Sequence, residues 1–517
     1  MKADLTRNTF DQFKHFTRVI MQQGRVQLDA DWNEQAAILL KYLQALAADL
    51  IGPHGGPIAN LGFRIADGNI ATDFAITPGH YYVDGILCEL APQSAPVPIT
   101  KNPSGQYTVP LSSAASFTKL PQVLLCAEGL SVLTKVASVT QENVVTFPAA
   151  ANTVLGKPNP RAYLEFTSFF KQTDYPLPST SLVSGLVYLD VWERLVTYVE
   201  DDSIREVALA GADTAARSKL VCQVKLLANA SSTVDLKSQF QPANRGRLMA
   251  QAKQTSTSTD PCVIAPDASY RGPENQLYRV EIHTGGMYTQ SNPISPKGPT
   301  FKWSRENGSV IFPIVNLTPG SGTTTVVLEN LGRDERFGLN ENDWVEIQDD
   351  DYVLLNSAGT LLQVQSIESG SLTVTLAGTP APPVGQDQSK HPLLRRWDQT
   401  AGDPAEGGLQ LGLDNAALIL EDSNDTNWLS LEDGIQIQFQ PAAPRTSPHQ
   451  YRTGDYWLIP ARTATGDIEW PTGTALPPDG VDHHYAPLAA ITLPESSVQV
   501  GVFLQNQFQH LPYVSPV

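Results

Sequence analysis

The chain has 517 residues, of which 41% are hydrophobic and only 17% charged, and its formal net charge is −18. This length carries a prior of about three or four domains, each large enough to bury its own core. The acidity speaks against nucleic acid as a partner, because phosphate binding needs a cationic patch and the sequence holds no run of Lys and Arg.

Residues 1–52 read as an arm, a strand and a helix. Val26 and Leu28 alternate with Arg25 and Gln27, as in a strand with one buried face. Asp31 then reads as a helix N-cap, and Glu34, three residues on, completes a capping box. Ala36, Leu39, Leu43, Leu46 and Leu50 recur at spacings of three and four, which places them on one helical face. The stripe has heptad spacing but spans only about two heptads, fewer than a coiled coil requires. Gly52-Pro53 stops it. Such a helix packs either on its own domain or on a neighbouring subunit, and both readings stand at this point. Phe16, Val19, Trp32, Leu39, Leu43 and Leu46 are the candidate interface residues. The first residues have no apolar signal-peptide core, and the helix is too short and too polar to span a bilayer. The expectation is synthesis in the cytoplasm without membrane insertion.

Residues 53–317 read as a β-rich body. Proline, at 39, and glycine, at 37, punctuate many turns. Asp84-Gly85 is the strongest hairpin signal, since a type I′ turn needs positive φ at both central positions. The apolar run 185–194 has the length of a buried strand, whereas 240–275 is polar and loop-like, with 251–259 almost free of large apolar groups. Residues 318–385 read as a small separate β domain and 386–517 as a further β-rich domain. The fold class expected is therefore mainly β and multidomain, with sandwich- or barrel-like units and one long helix near the start.

Candidate chemistry is sparse. His483 and His484 are adjacent, so on a strand they point to opposite faces and do not share a metal. Residues 422–433 carry Asp and Asn as calcium loops do, but lack the glycine and the final glutamate of that pattern. Asp349-Asp350-Asp351 reads as a charged turn. The four cysteines, Cys88, Cys126, Cys222 and Cys262, lack zinc-ligand spacing and read as buried free thiols. Six tryptophans in the C-terminal half, Trp303, Trp344, Trp397, Trp428, Trp457 and Trp470, anchor β cores if buried and offer a sugar platform if exposed. No nucleophile elbow, phosphate loop or zinc-protease motif is present, so no catalytic residue, cofactor or metal is assigned.

Several blocks carry a family likeness. The arm 2–10 is followed by a segment ending Gln23-Gly24-Arg25-Val26-Gln27-Leu28-Asp29-Ala30-Asp31-Trp32-Asn33-Glu34. Later come Val187-Tyr188-Leu189-Asp190-Val191-Trp192-Glu193-Arg194 and Glu274-Asn275-Gln276-Leu277-Tyr278-Arg279-Val280-Glu281-Ile282-His283, the latter followed by 301–309. Together they resemble a structural protein family of phage tails and phage-tail-like contractile injection systems. The resemblance covers roughly residues 1–315. It implies a baseplate-associated part of such a particle that touches other baseplate or tail proteins, in three or six copies. It implies no catalytic residues. The alternative is a fibre-like module of the same particle that binds receptor glycans.

Overall fold

A computed structural model describes the chain apart from residues 68–72, 120–121, 141–142, 178–181, 254–268, 290–297, 333–337, 382, 424–426, 445–446, 494–498 and 510–517. The protein is mainly β, built from many sheets and one closed barrel, with a 23-residue helix, α1, at Asp29–Ile51. No helix among the described residues is long and apolar enough to cross a membrane. The chain divides into two compact units, each assembled from discontinuous segments.

The first unit comprises Met1–Ala37, Arg194–Lys219 and Gln241–Asp482. Its largest open sheet runs in the order Ala417–Leu418, Thr300–Ser304, Gln276–Ile282, Tyr456–Arg462, Asp467–Ile468. A second sheet contains Leu248–Ala252 and Ile435–Phe439. Tyr278, Val280, Phe301, Ile437, Phe439 and Trp457 form the core of these sheets. The barrel closes through Ile311–Pro319, Thr323–Leu328, Thr373–Ala377, Leu361–Glu368, Trp344–Gln348 and Leu393–Trp397. Along Thr323–Leu328, Thr324, Val326 and Leu328 are buried while their neighbours are more open, the period-two pattern of a strand with one packed face. The barrel's first strand begins before residue 318 and its last lies beyond 385, because closure recruits Ile311–Pro319 and Leu393–Trp397 onto each other.

The second unit comprises Ile38–Glu193, Leu220–Phe240 and His483–Val517. The run read from sequence as a buried strand is Gly185–Val196, which pairs with His484–Thr492. The register slips between Val187 and Tyr188, where the partner is Pro487. Proline has no N–H for the ladder, so the extra residue of a bulge falls beside it. Gly79–Val83 and Ile86–Leu90 form the expected hairpin, with Asp84 at φ 48° and Gly85 at φ 79°. Residues 97–164 hold a smaller sheet with its own core around Phe117, Val123, Leu125, Val154 and Leu155.

The start of the helix departs from the sequence reading. Residues 25–28 form no strand, and Val26 and Leu28 are exposed: alternation alone does not make a strand without a partner to pair with. The helix begins at Asp29, so Asp31 lies inside its first turn. The capping box does not form either, because Glu34 accepts from Thr9 Oγ1 at 2.5 Å. Gly52 ends the helix as read, donating its N–H to Ala48 O at 2.8 Å with φ 92°.

Candidate docking surface

The arm is tethered at its start and carries exposed apolar side chains among polar ones beyond. Lys2 Nζ lies 3.1 Å from Glu281 Oε2. Asn307 Nδ2 donates to the carbonyls of Met1 and Ala3, at 3.1 and 2.8 Å. Arg462 donates to Thr6 O at 3.0 Å, and Thr6 donates through N and Oγ1 to the Asp29 carboxylate at 3.0 and 2.5 Å. Those bonds hold the Asp29 carboxyl below its ordinary range, outweighing a burial effect of opposite sign. Further along, Val19 N donates to Gln35 Oε1 at 2.8 Å.

Glu281 is the hub of a buried charge network. Arg279 Nε lies 2.5 Å from it, and Lys302 Nζ lies 3.7 Å away on its other oxygen. Lys302 continues to Glu346 at 2.6 Å and sits 4.3 Å above the Trp397 ring, while Trp397 Nε1 donates to Glu346 at 2.8 Å. Burial pushes the Glu346 carboxyl up, but Lys302 and His283 overcome it and hold it down at about 2. Glu281 behaves alike: burial opposes, Lys2 and Arg279 prevail, and its carboxyl sits far below the ordinary value. The arm is thus fixed by a site of high charge density, in which each carboxylate carries several donors.

Beyond the tether the surface changes character. Helix α1 buries Ala30 and Ile38. Further along, its backbone lies against the Asp84-Gly85 turn, so close that a Cβ on Gly85 would meet Gln44 O at 1.9 Å. The heptad stripe faces outward. Trp32, Leu39, Leu43 and Leu46 are between 47 and 64% exposed. Leu50 continues the row, and Leu40 and Tyr42 flank it, also exposed. Phe16 is exposed and Val19 half-buried on the arm, where Phe13 and Ile20 add further open apolar groups. Sequence reasoning missed Leu40, Tyr42, Phe13 and Ile20 because none falls on the stripe. The signal available was the scarcity of charge in this stretch, with Lys41 and Asp49 the two charged residues between Leu39 and Leu50. A contiguous apolar row of this kind marks an interaction surface far more often than chance exposure does.

The remaining candidates resolve into ordinary partners. His483 Nδ1 lies 2.7 Å from Asp190 and His484 Nδ1 2.8 Å from Asp84, so the two rings serve different carboxylates. Asp349 caps a short helix, Asp350–Leu354, through Tyr352 N, while Asp350 pairs with His391 and Asp351 with Lys390, in place of a bare charged turn. Asp422 accepts from Asn427 at 2.7 Å, and residues 424–426 of that loop lie outside the described residues. Cys262 and most of 251–259 also lie outside them. Among the described residues no group of three or more His, Cys, Asp or Glu could hold a metal. Trp303, Trp397 and Trp457 are buried, and Trp344, Trp428 and Trp470 are half-buried.

Fold and surface together define a multidomain, mainly β protein that presents exposed apolar side chains on its arm and helix. The chain belongs to DUF6519, a family of unknown function whose profile matches residues 1–117, 178–247 and 241–493. No curated protein matches the chain.

Proposed function

We propose that this chain is a structural component of a contractile phage-tail-like injection particle, associated with its baseplate and acting by assembly rather than catalysis. The observation that carries the assembly part is the outward apolar row on α1, with Trp32, Leu39, Leu43, Leu46 and Leu50 open to solvent. Covering such side chains with a neighbour contributes on the order of 1 kcal/mol apiece, since about half of each is already shielded. The particle itself rests on the resemblance of residues 1–315, which also suggests three or six copies in contact with other baseplate or tail proteins. In this reading Glu281, Asn307 and Arg462 fix the root of the arm, and Phe16, Val19 and the helix row meet the neighbour.

The glycan-binding alternative calls for open aromatic rings in 386–517. Trp397 and Trp457 are buried there and Trp428 and Trp470 half-buried, which favours the assembly reading. Gradient sedimentation of a native-cell lysate, read by mass spectrometry, tests the proposal. Co-migration with sheath and tube proteins in a fast fraction is expected. A position near the 56.1 kDa chain mass, with particles running elsewhere in the same gradient, would sink it.

A further inference from the structure

The first unit contains a cleft of about 610 Å³, lined among the described residues by 241–247, 441–444, Ser447, His449 and Pro477. This is the size of an ordinary small-ligand site. Its two walls are tied to each other. Gln440 N donates to Arg247 O and Gln450 N to Asn244 O, both at 2.9 Å, and Asn244 Nδ2 donates to Pro448 O at 2.6 Å. Gly246, at φ 103°, lets the first wall lie against the Tyr451 ring, where a Cβ would approach Cε1 to 2.4 Å. These bonds join the two walls without any ligand.

His449 lines this cleft although it is only 6% exposed. Its Nδ1 lies 2.8 Å from Glu421 Oε1, and the Tyr451 hydroxyl donates to the same oxygen at 2.9 Å. With Nδ1 occupied, Nε2 is the ring nitrogen left for a ligand. Among the described residues the other charged groups lining the cleft are Arg245 and Arg247, and no Asp or Glu lines it. Arg245 is shared with Asp455 at 3.1 Å. Arg247 has no carboxylate partner among the described residues and donates to Ala475 O at 3.3 Å. A cationic cleft on a chain of net charge −18 is a local reversal of sign.

We propose that this cleft binds the oxyanion, a carboxylate or a phosphate, of a small organic ligand. The Arg247 guanidinium supplies the ion pair, since its planar fork matches both oxyanions. With Nδ1 facing the Glu421 carboxylate, His449 Nε2 is the nitrogen that meets a hydroxyl of the ligand. Pro242, Pro441 and Pro444 form apolar walls for the uncharged remainder of the ligand. The assignment is independent of the assembly reading and stands or falls separately from it.

The test is calorimetric titration of the full chain with inorganic phosphate and with glucuronate, with glucose as neutral control, while histidine-labelled protein reports on the His449 ring by NMR. Saturable binding of at least one anion is expected, with the His449 resonances moving and glucose silent. Arg247 is exposed, so Arg247→Gln leaves the melting temperature unchanged and weakens that binding roughly tenfold. Binding of phosphate alone identifies a phosphorylated ligand, and binding of glucuronate alone an acidic sugar. No saturable binding of either anion, equal affinity in Arg247→Gln, or binding that leaves His449 unmoved would overturn the proposal.

Discussion

The ammonium of Lys2 lies 3.1 Å from a carboxylate oxygen of Glu281, on a strand whose side chains are buried along its whole length. Glu281 also serves Arg279 and Lys302, so one carboxylate compensates three cations. Glu281→Gln leaves those cations in a dry site and is expected to cost about 3–5 kcal/mol in urea unfolding. Lys2→Met removes one of the three and should act differently: global stability falls little, while limited proteolysis within residues 10–28 accelerates. Equal losses in the two variants would contradict the tether.

The same network sets an acid limit. The Glu346 carboxyl is held at about 2, so its contribution is fully present above the ordinary carboxylate value and is lost as pH falls from about 4.5 towards 2. The magnitude is on the order of 3 kcal/mol. His283, which burial and then Lys302 lower to about 4, acts in the same direction over the window from 6.5 down to 4, because the unfolded ring takes up a proton that the folded one refuses. Urea midpoints should fall through both windows on acidification. In Glu346→Gln the baseline drops and the lower window flattens; an unchanged slope there would refute the assignment.

Gly85 joins hairpin and helix. Its φ is 79° and a Cβ would meet Gln44 O at 1.9 Å, whereas Gly129, at φ 74°, has nothing within 4 Å of its virtual Cβ. Gly129→Ala should cost about 1–2 kcal/mol for the backbone conformation alone. Gly85→Ala should cost clearly more and should raise hydrogen exchange in 38–51 as the helix lifts from the turn. Equal costs would mean that the contact carries no weight.

Leu43→Glu with Leu46→Glu changes two exposed side chains. The effect on unfolding is expected within about 0.5 kcal/mol per site. Incorporation into fast-sedimenting material should nonetheless be lost, and retention with a normal yield would remove this row from the interface.

Cys88 and Cys126 should be inert. A hydrogen bond with Cys222 and burial push the Cys88 thiol well up, and burial raises Cys126 to about 11. Because the thiolate is the nucleophile, iodoacetamide at pH 8 should label both slowly in the native protein and rapidly in urea, read by peptide mass. Fast native labelling of Cys88 would show that the core around it opens.

What the sequence disclosed follows the range of the forces involved. The Asp84-Gly85 turn and the Gly52 stop depend on adjacent residues, and both were legible. The capping box was not, because Thr9, on the arm, takes the Glu34 carboxylate that the local pattern reserved for the helix. Barrel closure depends on Ile311–Pro319 meeting Leu393–Trp397, a pairing with no local signature. The stripe on α1 was legible as a helical face, but its outward direction was not, since that depends on what the rest of the chain covers. The Glu421–His449 pair joins a loop to a cleft wall, and no motif spacing announces it.

Closure of the barrel also limits how this protein can grow into anything larger. A strand ring has no unpaired rim, so another chain cannot extend it by adding backbone hydrogen bonds. Lateral strand addition is left to the open sheets. In the sheet containing Gly185–Val196, one outer member is Gln499–Phe503, with Val502 and Phe503 more than half exposed. The barrel can be gripped only through side chains, so any neighbour must recognise its chemistry rather than its backbone.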